Sequence, residues 1–151
     1  MLVYRLSLDE YAHDLSGLGA EMYGGRWNNK GMPAVYTSEH RSLCVLETLA
    51  NVIQFGNKKQ FCMTEISIPD ELTIKTYAAQ LLPKGWNGEE YRFVSAGLGT
   101  EWLSGMGSAV LKVPSVLIHE EYNYIINPRH SDAKHIKICM VYNYHIQNRL
   151  L

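Results

Sequence analysis

Short apolar or alternating segments recur along this chain, and a period of two is typical of β-strands that bury one face. They predict strands at residues 2–7, 33–36, 61–68, 72–77, 109–113, 122–126 and 135–144. Turn-forming residues such as Pro69-Asp70 and Asn127-Pro128 follow several of them. In the first strand Arg5 is a charge in mid-strand. It is either a solvated charge on an edge strand or an arginine that points into a cleft.

Between residues 37 and about 55 the apolar period becomes that of a helix. Residues 37–39, Thr-Ser-Glu, supply a hydroxyl cap and an acid for the first turn, and residues 56–57, Gly-Asn, would end the helix. Its apolar stripe consists of Leu43, Leu46, Leu49, Ala50 and Ile53. At about 100° per residue, Glu47 lies at the border of this stripe. It is therefore either a half-exposed surface glutamate or an acid that faces a cleft.

The order of the predicted elements indicates the fold class. Residues 89–103 are expected to form a helix or a pair of short helices interrupted near Gly97 and Gly99, and residues 17–25 are expected to form a loop. Strands, one long helix, and then more strands with a helical insert favour an α+β fold with a largely antiparallel sheet. We expect a single domain that comprises residues 1–151.

Composition and charge narrow the function. Hydrophobic residues make up 46% and charged residues 19% of the 151 residues, which is typical of a soluble globular domain. No window approaches the roughly eighteen continuous apolar residues of a membrane span, and the N-terminus lacks a secretory h-region, so we expect a cytoplasmic protein without membrane contact. The net charge of −1 lacks the basic excess of nucleic-acid-binding proteins, so direct binding to nucleic acid is not expected. An anionic ligand would need a local cluster of arginines.

Motifs for metal binding or a serine nucleophile are weak. The cysteines, Cys44, Cys62 and Cys139, are few and scattered, which favours reduced, mostly buried thiols over a disulfide framework or a zinc site. A metal site formed by His119, Glu120, His130 and His135 is disfavoured because HEEYN does not have the HExxH spacing. A Ser-His-Asp triad is disfavoured because Ser115 lies in VPSVL, which does not resemble a GxSxG elbow.

Residues 24–47 contain the densest group of candidate ligand-binding residues. A glycine pair, two asparagines and a Gly-Met-Pro turn allow the backbone to approach a ligand closely. Arg26 supplies a planar cation suited to phosphate or carboxylate. Trp27 could stack on a heterocycle, although tryptophan is more often a core residue. With Tyr36 and Glu47, this segment predicts a pocket for an anionic small molecule that contains an aromatic ring.

The same segment resembles a known family. Residues 24–49 resemble the central motif of the RES domain, which is named after its arginine, glutamate and serine: GGRWNNKGMPAVYTSEHRSLCVLETL. Further segments resemble successive blocks of the family in the same order: VYR, LPKGW, LGTEWL, VPSVLIHEEYNYIINPRH and the closing RL. The resemblance therefore covers nearly the whole chain. Residue by residue, the family's arginine, tyrosine, glutamate and serine correspond to Arg26, Tyr36, Glu47 and Ser115. Arg5 corresponds to the N-terminal Tyr-Arg of the family.

The resemblance implies a fold and an activity. The fold would be similar to that of ADP-ribosyltransferases of the diphtheria-toxin type. The protein would be a bacterial toxin that is neutralised by an antitoxin with an Xre-type helix-turn-helix domain. It would degrade NAD at the nicotinamide–ribose bond by hydrolysis or phosphorolysis, with NAD as the substrate and with no cofactor or metal.

The resemblance also implies residue roles. Glu47 would stabilise the positive charge that develops on the ribose. Arg26, together with Arg5, would hold the pyrophosphate through charge-assisted hydrogen bonds. Tyr36 would stack against nicotinamide or fix its angle, and Trp27 would contribute to nucleotide binding. Ser115 would either bind the carboxamide or hold Glu47 in place.

Several alternatives stay open at this point. The acceptor of the ADP-ribosyl group is water, phosphate or a protein side chain, and in the last case the protein is an ADP-ribosyltransferase. A non-catalytic module that binds a nucleotide or an antitoxin is a further alternative. The oligomeric state is also open between a homodimer and a toxin–antitoxin hetero-oligomer.

Overall fold

The computed structural model describes residues 1–52 and 60–150, and seven of its strands form one sheet. The strands are β1 (Leu2–Leu8), β2 (Val35–Ser38), β3 (Phe61–Ser67), β4 (Ile74–Thr76), β5 (Val110–Pro114), β6 (Tyr122–Ile126) and β7 (Lys137–Tyr144). Their order across the sheet is β4-β5-β6-β2-β1-β3-β7. Neighbouring strands are antiparallel except β4 and β5, which are parallel. The α+β fold with a largely antiparallel sheet is therefore confirmed.

The sheet consists of two parts that meet at β1 and β2. β1 pairs with β3 along its whole length, but it pairs with β2 only at Tyr4 and Ser38. β2 pairs with β6 at every residue, from Val35 opposite Ile126 to Ser38 opposite Asn123. Ser38 is therefore the position where three strands come together. β1 is an interior strand, so the edge-strand interpretation of Arg5 is wrong.

Among the described residues, three α-helices accompany the sheet: α1 (Leu18–Tyr23), α2 (Arg41–Val52) and α3 (Arg92–Gly105). α1 lies in the segment expected to be a loop, so that prediction is wrong. α3 is continuous through Gly97 and Gly99, so the predicted interruption is also wrong. In the described part of the chain, no helix is both long enough and apolar enough to cross a membrane.

The predicted start of the long helix is wrong. Thr37 and Ser38 continue β2 because their backbones pair with β6, and the Thr37 hydroxyl donates to the carbonyl of Tyr124 at 2.6 Å. A β-branched threonine suits this position in a strand. The helix begins at Arg41 instead. Its predicted end near Phe55, the stop at Gly56-Asn57, and Ile53 lie outside the described residues.

The buried face of α2 differs from the predicted stripe. Leu43, Cys44 and Val45 are buried, whereas Leu46 is 40% exposed and Ala50 is exposed too. The predicted stripe left out Cys44 and Val45, which are buried against Leu6 and Met63 of the sheet. All three cysteines are free, and Cys139 is exposed rather than buried.

Strand predictions were closest where β-branched and aromatic residues dominate. Residues 122–126 form β6 as predicted, and the other strands begin or end one to two residues from the predicted limits. At residues 135–144, the first two positions do not belong to β7, because a turn of 3-10 helix occupies Ser131–His135.

Three apolar clusters form the core. One lies on the face of the sheet opposite α2 and includes Val3, Ile66, Val110 and Ile126. A second contains Trp27, Trp86, Trp102, Leu111 and Ile125 and packs α3 against the other face. A third lies beneath α2 and includes Leu6, Cys44, Val45 and Met63. α2 and α3 therefore lie on one face of the sheet, the face that carries the candidate site.

α3 packs closely against the backbone at Trp27. A Cβ built on Gly99 would lie 1.8 Å from the carbonyl oxygen of Trp27, which is a backbone atom and cannot rotate away. A Cβ built on Gly97, on the same helix, would meet nothing within 4 Å. Gly99 is therefore required by contact, whereas Gly97 is not.

We predict opposite effects for alanine at these two positions. Gly99→Ala should lower the free energy of unfolding by about 1–3 kcal/mol or more, because the helix must move away from Trp27. Gly97→Ala should raise it by roughly 0.5–1 kcal/mol, since alanine favours the helix. Urea denaturation of both variants measures the difference. Equal effects at the two positions would contradict the close approach.

Candidate functional site

Glu47 on α2 is held by two hydrogen-bond donors from distant parts of the chain. The hydroxyl of Ser115 donates to Glu47 Oε1 at 2.8 Å, and the amide Nδ2 of Asn123 donates to the same oxygen at 2.6 Å. No hydrogen bond from the described residues reaches Oε2. The side chain of Glu47 is half-buried, and its hydrogen bond with Asn123 directs it towards β6. Within the described residues, the carboxylate is therefore anchored through Oε1.

Ser115 uses its whole hydrogen-bonding capacity. Besides donating to Glu47, its Oγ accepts from the backbone amides of Leu117 and Ile118 at 3.0 and 3.1 Å. A hydroxyl has one donor and two acceptor positions, so all three are occupied. Ser115 is also fully buried. Of the two roles expected for it, this geometry favours holding Glu47 over binding a carboxamide.

Asn123 connects Glu47 to the sheet. Its Oδ1 accepts from the hydroxyl of Ser38 at 2.7 Å, while its Nδ2 donates to Glu47. Ser38 and Asn123 are direct partners in the register of β2 and β6, so their side chains share one face. Neither residue was identified from the sequence. The signal that could have revealed Asn123 is its position in a strand, where asparagine is uncommon.

Tyr36 lies on the same face of β2, two residues before Ser38, and it organises the loop at residues 24–30. Its hydroxyl donates to Asn28 Oδ1 at 2.7 Å and accepts from the Trp27 amide at 2.9 Å. Asn28 in turn donates to the carbonyls of Ala20 and Met32. Burial raises the pKa of Tyr36 far above its ordinary value, although nearby Arg26 and Arg92 act in the opposite direction. The phenol therefore stays protonated and serves as a structural donor.

Trp27 belongs to the core. Its ring is 2% exposed and packs against Trp86 and Tyr77, with ring centres 6.0 and 6.1 Å apart. The structure therefore favours the core interpretation of this residue over stacking on a ligand.

Arg26 is paired with an acidic turn. Its Nη2 donates to Glu89 Oε2 at 2.9 Å and its Nη1 to the carbonyl of Gly88 at 3.2 Å. Glu89 also accepts from Arg92 at 3.4 Å, so one carboxylate contacts two guanidinium groups. Arg26 itself is 18% exposed, whereas Glu89 is 75% exposed. The two arginines thus already hold one anion between them.

A cavity of about 340 Å³ adjoins this ion pair. It is lined by residues 23–25 and 28–30 of the loop and by Arg92, Phe93 and Ala96 of α3. Lys30 and Arg92 give its wall positive charge. This is the local cluster of cations that an anionic ligand requires, and Lys30 and Arg92 were not identified from the sequence.

Arg5 is tied to the loop after β1. Its Nη1 donates to the carbonyls of Asp14 and Tyr11. Burial lowers the pKa of Arg5, and the charge of Asp14 partly offsets this effect. On the regular strand β1, Arg5 lies two residues after Val3, which belongs to the cluster on the face opposite α2, so the structure does not bring Arg5 to the face that carries Glu47. Burial raises the pKa of Cys44 to about 12, so its thiol is not a nucleophile at neutral pH.

The candidate residues therefore form two adjacent groups on one face of the sheet. Glu47, Ser115, Asn123 and Ser38 form a carboxylate group, and Arg26, Arg92 and Lys30 form a cationic group. Tyr36 connects the two groups, because it lies two residues before Ser38 on β2, a rise of about 7 Å, and its hydroxyl accepts from the Trp27 amide in the loop that carries Arg26. A carboxylate and a cationic cavity on the same face of the sheet can together bind an anionic ligand and stabilise a positive charge that develops on it.

Comparison with known proteins identifies the family. The RES domain model matches residues 2–147. The chain belongs to the RES domain family. The sequence-based assignment to this family is therefore confirmed.

Bacterial RES domain proteins align over most of this chain. It is 42% identical over 128 residues to the Prs ADP-ribosylating toxin of Sphingobium sp. (strain YBL2), an alignment that covers 83% of this chain and 80% of that protein. It is 37% identical over 141 residues to the toxin Res of Yersinia enterocolitica, covering 93% and 90% of the two chains. It is 36% identical over 153 residues to the toxin Res of Photorhabdus laumondii, covering 100% and 97%.

A solved structure supports the fold of this RES domain. A chain of the M. tuberculosis MbcT-MbcA toxin-antitoxin complex superposes with a TM-score of 0.76 and covers 95% of this chain and 83% of that one. The sequence identity is 16%, so this likeness concerns the fold alone.

We predict that Tyr36 stabilises the loop of the RES domain through its hydroxyl. Tyr36→Phe leaves Asn28 Oδ1 and the Trp27 amide without their partner, so the free energy of unfolding should fall by about 1–3 kcal/mol. The Trp27 amide should also exchange its hydrogen faster. Urea denaturation and hydrogen exchange followed by NMR measure the two effects.

The control for this prediction is Tyr23→Phe. Tyr23 is 76% exposed, so removing its hydroxyl should change the stability by no more than about 0.5 kcal/mol. Unaltered exchange at the Trp27 amide in Tyr36→Phe would contradict the structural role of the hydroxyl.

Proposed function

We propose that this protein is the toxin of a toxin–antitoxin system and that it cleaves NAD at the bond between nicotinamide and ribose. The observation that carries this proposal is the Glu47 carboxylate. It is fixed through Oε1 by two donors, and it lies on the sheet face that also carries a cationic cavity. The names of the aligned relatives, which include an ADP-ribosylating toxin, support a reaction of NAD. Family membership supports the same class of protein.

The chemistry of the reaction suits a carboxylate. When the C1′–N bond breaks, its electron pair leaves with nicotinamide, which becomes neutral, and the ribose acquires oxocarbenium character as in glycoside hydrolysis. No strong general acid is needed. In this proposal Glu47 Oε2 faces the ribose hydroxyls and stabilises the developing charge. Water or phosphate then attacks C1′ and loses a proton, which gives ADP-ribose or its phosphate.

The cationic group would bind the pyrophosphate. Arg26 and Arg92 already share the carboxylate of Glu89, and a phosphate offers oxygens with a similar arrangement and more charge. Lys30 lines the same cavity. Arg5, whose guanidinium contacts the carbonyls of Tyr11 and Asp14, lies outside this group and would stabilise the loop that follows β1.

Tyr36 and Ser115 would act on the geometry of the site. The Tyr36 hydroxyl keeps the loop of Arg26 in place, and the ring lies between the two groups, where it could limit the position of nicotinamide. Ser115 would hold Glu47. The mechanism then depends mainly on positioning and electrostatics.

A test of this function follows the products. Purified protein is incubated with NAD, and free nicotinamide, ADP-ribose and ADP-ribose phosphate are quantified with and without added phosphate. The proposal expects nicotinamide release at a rate proportional to protein concentration. Binding of NAD without its consumption would indicate a non-catalytic module instead.

ADP-ribosylation of a protein is the second candidate. It is favoured by one observation, the name of the 42%-identical relative from Sphingobium. Labelled NAD distinguishes the two reactions. A transferase gives a labelled protein band in a cell extract, whereas a hydrolase or phosphorylase gives only small-molecule products.

The toxin proposal includes a protein partner. The structural relative comes from a toxin–antitoxin complex, which supports an antitoxin as the partner of this chain. By resemblance, this antitoxin would carry an Xre-type helix-turn-helix domain. Expressing the chain in bacteria with and without the neighbouring gene, while cellular NAD is measured, tests both the toxicity and its neutralisation.

We predict that Glu47→Gln strongly lowers turnover and preserves binding. Glutamine keeps the shape and can still accept from Ser115 and Asn123, but it lacks the negative charge that stabilises the ribose cation. The rate constant kcat should fall about 100- to 1,000-fold, in line with the loss of one electrostatic contact. The dissociation constant for NAD should change less than about threefold.

Steady-state kinetics and calorimetric binding measure these values. Glu71→Gln, an exposed carboxylate elsewhere on the chain, is the matched control and should leave both unchanged. Normal NAD turnover by Glu47→Gln would exclude the proposed role of the carboxylate.

We further predict that Glu89 competes with the substrate for Arg26 and Arg92. Glu89→Gln removes the competing charge, so the KM for NAD should fall by up to about fivefold, the size expected for an exposed ion pair of no more than about 1 kcal/mol. The difference from the wild type should shrink at high salt, because exposed charges are screened.

Glu90→Gln is the control for this effect. Glu90 is an exposed neighbour in the same turn, and it changes the net charge by the same amount. If both variants lower KM equally, the effect comes from the overall field of the protein and not from the contact with Arg26.

A further inference from the structure

Ser38 and Asn123 lie behind the Glu47 carboxylate, and the direction of every hydrogen bond among them is determined. The two lone pairs of Ser115 Oγ are used by backbone amides, so its proton must point to Glu47 Oε1. An ionised carboxylate only accepts, so the Asn123 atom that faces it must be the Nδ2 donor. Asn123 Oδ1 then faces Ser38, and because this oxygen only accepts, the hydroxyl of Ser38 must donate.

Ser38 is anchored by the pairing of three strands. Ser38 is 4% exposed, and its backbone is paired with Tyr4 of β1 on one side and with Asn123 of β6 on the other. Its Oγ is therefore placed by two strands at once. An asparagine amide has two orientations of similar shape, and the donor from Ser38 selects the orientation that directs Nδ2 to Glu47.

We infer that Ser38 and Asn123 are positioning residues for Glu47: Ser38 fixes the orientation of the Asn123 amide, and this amide fixes the carboxylate so that Oε2 faces the ligand. Neither residue touches the reacting atoms. The inference rests on the proposed function insofar as it assigns Glu47 a role in NAD cleavage, but the orientation itself is a property of the protein without substrate.

The kinetic test separates positioning from binding. Asn123→Leu removes the donor to Oε1, and kcat should fall roughly 100-fold, as expected when a reacting group is misplaced by about 1 Å. The KM for NAD should change less than about threefold, because the cationic group that binds the pyrophosphate is untouched. Ser38→Ala should lower kcat less, by about 3- to 10-fold, since the amide can still adopt the productive orientation part of the time.

Two further variants show whether Ser38 acts through Asn123. Ser38→Thr keeps the hydroxyl, and threonine suits a strand, so kcat should return to within about twofold of the wild type. Ser38→Ala should have no further effect on kcat in a protein that already carries Asn123→Leu. Multiplying effects in the double variant would overturn the inference, as would a wild-type kcat for Asn123→Leu.

Matched controls exclude a general effect on the sheet. Asn143→Leu replaces a strand asparagine on β7, and Ser7→Ala replaces a strand serine on β1, both outside the site. Each should leave kcat within about twofold of the wild type. Losses as large as those of the site variants would show that the sheet, and not the orientation of Glu47, is being disturbed.

A structural readout keeps the inference testable if the wild-type protein consumes no NAD. In that case the proposed function fails, whereas crystal structures of Ser38→Ala and Asn123→Leu still report the position of the carboxylate. A Glu47 side chain that turns away from Ser115 and β6 in Asn123→Leu supports the inference. An unmoved Glu47 carboxylate in that variant overturns it.

Discussion

The site depends on the hydrogen bonds that a half-buried carboxylate requires. An acid near the sheet loses part of its contact with water, and this loss is costly unless donors replace the water. Glu47 receives those donors from a turn after β5 and from β6, which are 68 and 76 residues away in sequence. One oxygen of one side chain thus joins α2 to the half of the sheet that contains β5 and β6. In the described residues, no buried side-chain nitrogen or oxygen lacks a hydrogen-bond partner, so the site is built without such a cost elsewhere.

The short strand β2 supports both groups of the site. It has four residues, yet Tyr36 supports the loop that carries Arg26, and Ser38 supports the amide that contacts Glu47. Tyr36 and Ser38 lie on the same face of one strand and therefore serve the two groups of the site. A register shift of one residue would turn both side chains to the opposite face. The complete pairing of β2 with β6 opposes such a shift.

The sequence was informative where local chemistry decides the structure. The aromatic and β-branched residues of β6 predicted its limits correctly, and the motif in residues 24–49 led to the family. The prediction that Thr37 and Ser38 start the helix was wrong because hydroxyl residues suit both a helix cap and a strand. Their pairing with β6 places them in the strand. Asn123 and Arg92 were missed for a different reason. Their significance comes from contacts with residues far away in sequence, and no spacing or period encodes such contacts.

The two groups of the site differ in how firmly they are held, and this difference has a physical reason. A carboxylate that stabilises a developing charge is most effective when it is fixed before the reaction, and Glu47 is fixed by a buried serine and a strand asparagine. Arginines that bind a phosphate must instead first release the carboxylate with which they are paired when no phosphate is bound. Glu89 suits that purpose because it is 75% exposed, so water can replace Arg26 as its partner at little cost. A buried acid at this position would remain paired with the arginines. The arginines could then not bind the phosphate of a ligand.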